Sequence, residues 1–149
     1  MTKKIVIKKD GLKSITTLVD KNKISIKEIT ELSEIDHPLF SFRYLHDVSY
    51  SDCRDALFFI DFLKRLQKLS ELGWNGIRAS HRHGYGLEKI PISRLNARLK
   101  YLPAFITPDV KELDVFRATG DNRTFVGFQK SKIFYVFFIE TRFGDVCPH

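Results

Sequence analysis

Apolar and polar residues alternate along both ends of this chain and recur at helical spacing in its middle, so the pattern alone predicts strands on either side of a helix. "KKIVIKK" opens with Ile5 and Ile7 on one face and Val6 on the other, a first strand that Asp10 and Gly11 end. A polar amphipathic segment follows to about Glu34 and reads as partly helical. "DHPLFSFRYLHDVSY", Asp36–Tyr50, looks extended: Pro38 pushes His37 away from helix, and Phe40 and Phe42 share a face. From Ser51 to Leu72 the spacing becomes helical. Ser51 or Asp52 is placed to cap the helix, and Asp55 falls in its first turn. Phe59, Leu63 and Leu66, with Phe62 and Leu69, form a broad stripe that is expected to lie across a sheet. Gly73 should end the helix, and "NGIRAS" should add one short helical turn with Asn75 as its cap.

Beyond Gly84 and Gly86 the period changes. "LEKIPI" is a short strand whose Pro91 marks its end or an exposed edge. "SRLNARLKYLPAFITPD" suggests a helical turn and then a loop closed by Pro103 and Pro108. "ELDVFRA" and "RTFVGFQ" are strands joined by the turn "TGDN", and "KSK" is a second tight turn. "IFYVFFIET" is continuously apolar, as an interior strand covered on both sides would be. The expected fold is α+β, with an N-terminal strand and helices packed on a curled antiparallel sheet. With 149 residues and no repeat or linker, residues 1–149 are expected to form one domain.

Composition narrows this. Thirteen phenylalanines predict an aromatic core. No apolar run approaches the roughly 18 to 20 residues of a membrane span, and the basic N-terminus lacks the apolar region of a signal peptide. A soluble, cytoplasmic protein without membrane contact is expected. Cys53 and Cys147 are plainly read as reduced thiols, with a disulfide as the alternative. The net charge of +7 is local: residues 1–50 carry nine basic and seven acidic side chains, and residues 101–149 carry six of each. The excess narrows to residues 78–100, where Arg78, Arg82, Lys89, Arg94, Arg98 and Lys100 face only Glu88, with His81, His83 and Tyr85 interleaved. Such a cluster suits a phosphate backbone and makes RNA the expected ligand. A solvated loop that merely aids solubility is the plain alternative.

The order of elements and the Arg-bearing hairpin "FRATGDNRTFVGF", followed by "IFYVFFIE" and the tail "FGDVCPH", resemble the RelE/ParE toxin superfamily, in particular its RelE and YoeB branch. The resemblance covers about residues 51–149, a RelE-like core behind an N-terminal extension of residues 1–50. It implies an endoribonuclease toxin of a toxin–antitoxin system that cuts mRNA, on the ribosome, and is covered by a cognate antitoxin. It also implies a helical hairpin against the sheet and catalytic roles for Arg117, Arg123 and His149.

The residues support that chemistry without a metal or other cofactor. Cleavage by the 2′-hydroxyl needs a base, cations for the phosphorane-like transition state and an acid for the 5′-oxygen. Arg117 and Arg123, on partner strands, are expected to clamp one phosphate. His149 is the expected acid. Glu88, the sole carboxylate of the basic stretch, is the expected base, with His83 in reserve. For the acid to reach the phosphate the tail must fold back over the sheet, with Phe143 as its anchor. Each assignment has a plainer alternative. The arginines can pair with Asp121 or Glu112, Glu88 with Lys89 or Arg82, and a C-terminal histidine can be inert. His81 with His83 and Cys147 with His149 supply zinc-ligand types, but the single-residue gaps are not those of a zinc knuckle. The competing function is a non-catalytic RNA- or protein-binding module on the same scaffold, encoded by a phage or mobile element and acting on a host system.

Overall fold

The computed structural model describes residues 6–7, 15–19, 22–24, 34–51 and 54–148, the first three runs by their backbone pairing. The chain divides into two compact units, Met1–Ile35 and Asp36–His149. In the first, β1 (Val6–Ile7), β2 (Ile15–Val19) and β3 (Asn22–Ile24) form an antiparallel sheet in chain order. Strands thus occupy part of the segment whose polar periodicity suggested helix. Its β-branched run Ile15, Thr16, Thr17 and Val19 fits a pleated surface better than a helical turn.

The second unit is α+β. Its open five-stranded sheet runs β4 (Leu39–Ser41), β8 (Ile133–Ile139), β7 (Thr124–Lys130), β6 (Glu112–Arg117), β5 (Glu88–Pro91). The apolar β8 lies inside the sheet and Pro91 sits on the edge strand β5, both as the sequence implied. The sheet is mixed rather than antiparallel throughout, because β4 pairs with β8 in parallel. Residues 36–50, grouped by sequence with the extension, therefore belong to this unit.

Helix α1 (Ala56–Ala79) starts later than expected. Asp55 itself is the N-cap, its carboxylate accepting from Phe58 N at 3.2 Å. Gly73 interrupts it with φ +70° and ψ 171°, and a Cβ there would lie 2.6 Å from Asp36 Oδ2. The chain resumes its helical course immediately. Asp36, not Asn75, serves the new start: its carbonyl accepts from Trp74 N at 2.7 Å and its carboxylate from Asn75 N at 3.5 Å. Gly73 thus divides α1 into two helical segments, residues 56–72 and 74–79, the break that the sequence implied.

The buried stripe of α1 is also rotated from the expected one. Phe58, Phe62, Leu69, Trp74 and Ile77 are buried, Phe59 and Leu66 are half-buried, and Leu63 is exposed. They pack on Phe116, Ala118, Phe125, Phe134, Val136 and Ile139 of the sheet. Phe125 is the hub, with ring centroids 5.1 Å from Phe62, 5.2 Å from Phe116 and 5.8 Å from Phe134.

The other face carries a second core of Ile90, Leu113, Val115, Val126, Phe137 and Phe138. Two successive phenylalanines share this face because the β7–β8 register jumps between Val126 and Gly127, leaving Phe137 as a bulge. Gly127 permits the close approach, since a Cβ there would lie 1.9 Å from Tyr135 O. Leu95 and Leu99, from two 3₁₀ turns, cover this core together with Val146 and Cys147 of the tail. Asn96 clasps that tail. Its Nδ2 donates to Gly144 O at 3.1 Å and Asp145 O at 2.7 Å, and its backbone N to Val146 O at 3.0 Å. The tail folds back over the sheet as expected, but Val146 and Cys147 anchor it, whereas Phe143 is 54% exposed.

Candidate active site

Strand geometry decides which of the implicated side chains can meet. Directly paired residues share a face and successive residues alternate. Arg117 pairs with Thr124 and Glu88 with Val115, so Glu88, Arg117 and Thr124 project from the face away from α1. Arg123 lies one step further along the hairpin, its carbonyl accepting from Ala118 N at 2.8 Å, and projects toward α1. The two arginines therefore leave opposite sides of the sheet and do not form the expected clamp.

On the far face, Arg117 Nη2 donates to Glu88 Oε1 at 2.9 Å and approaches His83 Nδ1 at 3.4 Å, while Nη1 donates to Asn122 O at 3.2 Å. The expected base, the reserve base and one of the two cations expected to bind phosphate thus share one corner. Arg82 Nε donates to His83 Nε2 at 3.2 Å. A neutral imidazole accepts at only one ring nitrogen, so Arg82 and Arg117 compete for the lone pair of His83.

The loop bearing His83 is folded tightly: Gly84 N and Gly86 N both donate to His81 O at 2.9 Å. A Cβ at Gly86 would come within 2.5 Å of Ser80 O. Arg65 of α1 braces the loop from the other side, donating to Gly84 O at 3.0 Å and stacking 4.6 Å from the centre of the Tyr85 ring. Tyr85 is therefore packed under Arg65 rather than presented for base stacking.

Glu88, Arg117, Thr124, Arg94, Cys147 and Pro148 line a cavity of about 130 Å³. Arg94 is exposed at its rim, its Nη2 3.4 Å from Pro148 O. Burial pushes the Cys147 thiol above its ordinary pKa, nearby Glu140 adds to the rise, and Arg94 offsets part of it. Two polar atoms in this corner, Arg117 Nε and Thr124 Oγ1, are buried without a hydrogen-bond partner. His149, the expected acid, lies outside the described residues.

Arg123 has a structural setting instead. Its guanidinium stacks 4.3 Å above the Phe58 ring, and its nitrogens donate to Asp121 Oδ2 at 2.8 Å and Thr141 O at 2.7 Å. Partial burial works against ionisation of Asp121, but the bonds from Arg123 and Thr119 outweigh it and lower the pKa to about 2.

The rest of the basic stretch is dispersed. Lys89 is paired with buried Asp114 at 2.5 Å, Arg78 is bonded to Asn75, and Arg98 and Lys100 are exposed around the second 3₁₀ turn. Among the described residues no three His, Cys, Asp or Glu side chains are grouped to hold a metal ion, and no helix is long and apolar enough to cross a membrane.

Sequence reasoning passed over Arg65, Asn96 and Thr124. The helical position of Arg65 carried no sign of its loop partner. Asn96 has a turn residue's chemistry, which hinted at a backbone clasp. Thr124 reads simply as a good strand former. No protein-family model, curated protein or solved structure matches the chain.

Proposed function

We propose that this protein is a RelE-like endoribonuclease toxin that cuts mRNA by attack of the 2′-hydroxyl, without a metal, and is held in check by a cognate antitoxin. The observation that carries this reading is the Glu88–Arg117–His83 corner, of which Glu88 and Arg117 line a small cavity together with Arg94 and the folded-back tail. In the proposed reaction Glu88 takes the proton of the 2′-hydroxyl as its oxygen bonds to phosphorus. Arg117 donates to the non-bridging oxygens where charge develops. The bond from phosphorus to the 5′-oxygen breaks, and that oxygen takes a proton from His149. The products are a 2′,3′-cyclic phosphate and a 5′-hydroxyl. Arg94 extends a cationic approach for the flanking phosphates.

The test is induced expression of the wild type beside Arg117→Ala, with growth and mRNA integrity followed together. The wild type should arrest growth and fragment mRNA, and the variant should do neither while accumulating as folded protein. A harmless wild type, or a variant as toxic as the wild type, would refute the assignment.

One observation favours a binding module. Leu57, Ile60 and Leu63 are 71%, 49% and 67% exposed along the outer side of α1, an apolar stripe suited to a protein partner. In the toxin reading that partner is the antitoxin; in the alternative it is a host factor. Growth arrest with intact mRNA, unaffected by Arg117→Ala, would select the alternative.

A further inference from the structure

Thr124 occupies a position that folding alone would give to valine. The side chain is 5% exposed and sits in a strand whose neighbours Phe125 and Val126 are fully buried. Its Oγ1 has no partner. A buried hydroxyl without a hydrogen bond is destabilising, whereas valine has the same shape, suits a strand equally well and brings no such cost. Arg117, directly across the ladder, repeats the anomaly, because its Nε is also buried and unbonded while both terminal nitrogens are engaged. Both residues line the same cavity of about 130 Å³, with Arg94 at the rim. A phosphate group fits such a volume.

We propose that Thr124 is a phosphate ligand: its hydroxyl and Arg117 Nε–H donate to two oxygens of one phosphate group, while Arg94 neutralises it from the rim. Glu88 lines the same cavity, but its carboxylate is already bonded to Arg117, so the site keeps a net positive balance once Arg94 is counted. This deepens the ribonuclease reading by naming the atoms that seat the scissile phosphate and by making Thr124 a determinant of binding. It also explains why an energetically poor residue stands in the core, since stability is given up at a binding site.

Inorganic phosphate is the probe, titrated into the full chain as wild type, Thr124→Val and Thr124→Ser, with calorimetry for affinity and thermal melting without phosphate. Affinity should fall about tenfold or more in Thr124→Val, the effect of losing one bond to a charged ligand, and stay within about threefold in Thr124→Ser. Without phosphate, Thr124→Val should melt at or above the wild-type temperature. Equal affinity in wild type and Thr124→Val, no phosphate binding by the wild type, or a lower melting temperature for Thr124→Val would overturn the assignment. Phosphate binding that depends on Thr124 in a protein that leaves RNA intact would uphold the site and refute the ribonuclease reading alone.

Discussion

Arg117 ends one strand of a hairpin and Arg123 lies just before the other, and the sheet sends them to opposite sides. Arg123 lies over Phe58 with its donors directed at Asp121 and Thr141 O, so an aromatic ring, a carboxylate and a carbonyl hold it in place. Arg117 faces a cavity, shares Nη2 between Glu88 and His83, and keeps a buried nitrogen unbonded. One guanidinium completes a fold and the other leaves bonding capacity unused. Chemical type and spacing in sequence are alike for the two. What separates them is the parity of the strand, since residues 117 and 123 fall on opposite sides of a ladder that pairs 117 with 124.

The comparison can be broken most severely at Arg123. Replacing it with alanine removes a cation–π contact and charge-assisted bonds to Asp121 and Thr141 O. That should cost on the order of 2 to 3 kcal/mol and lower the melting temperature by about 5 to 10 °C. Phosphate affinity measured well below that temperature should be unchanged. A variant that melts like the wild type but binds phosphate poorly would reverse the roles given to the two arginines.

A smaller effect sharpens the same corner. The carboxyl of Asp121 titrates near 3.8 when unfolded and near 2 when folded. Its contribution to stability is therefore complete above about pH 4 and is lost as pH falls toward 2. Asp121 is largely exposed, so Asp121→Asn should cost only on the order of 0.5 kcal/mol at neutral pH. The gap between variant and wild type should close between pH 4 and pH 2 in acid-unfolding curves. A gap that persists at pH 2 would mean that the bond from Arg123 does not depend on charge.

Local pattern made much of this legible. Period-two alternation located β5, β6 and β7, and the continuous apolar run marked β8 as interior, because burial on both faces leaves no polar positions. Gly73 announced a helix break through its need for positive φ. Long-range pairing was not legible. Nothing within Leu39–Ser41 signals that β4 adds to β8 in parallel, and the true helical stripe differs from the expected one by a single residue at Phe58 and Phe59. The candidate site divides the same way. Glu88, Arg117 and His83 were legible as chemistry, because a lone carboxylate among cations is conspicuous. The sidedness of Arg123 required the register, and the role of Thr124 required knowing that its hydroxyl finds no partner.

The central claim is that the Glu88–Arg117 corner acts on RNA while the Arg123 corner only holds the hairpin. Cleavage rate constants for purified Glu88→Gln and Arg123→Lys, measured side by side on one RNA at a temperature where both are folded, test it most directly. Glu88→Gln keeps the shape and the bond from Arg117 but loses the base, and should be slower than wild type by about a hundredfold or more. Arg123→Lys should remain within a few-fold of wild type. A fully active Glu88→Gln, or a folded Arg123→Lys as impaired as Glu88→Gln, would contradict the account.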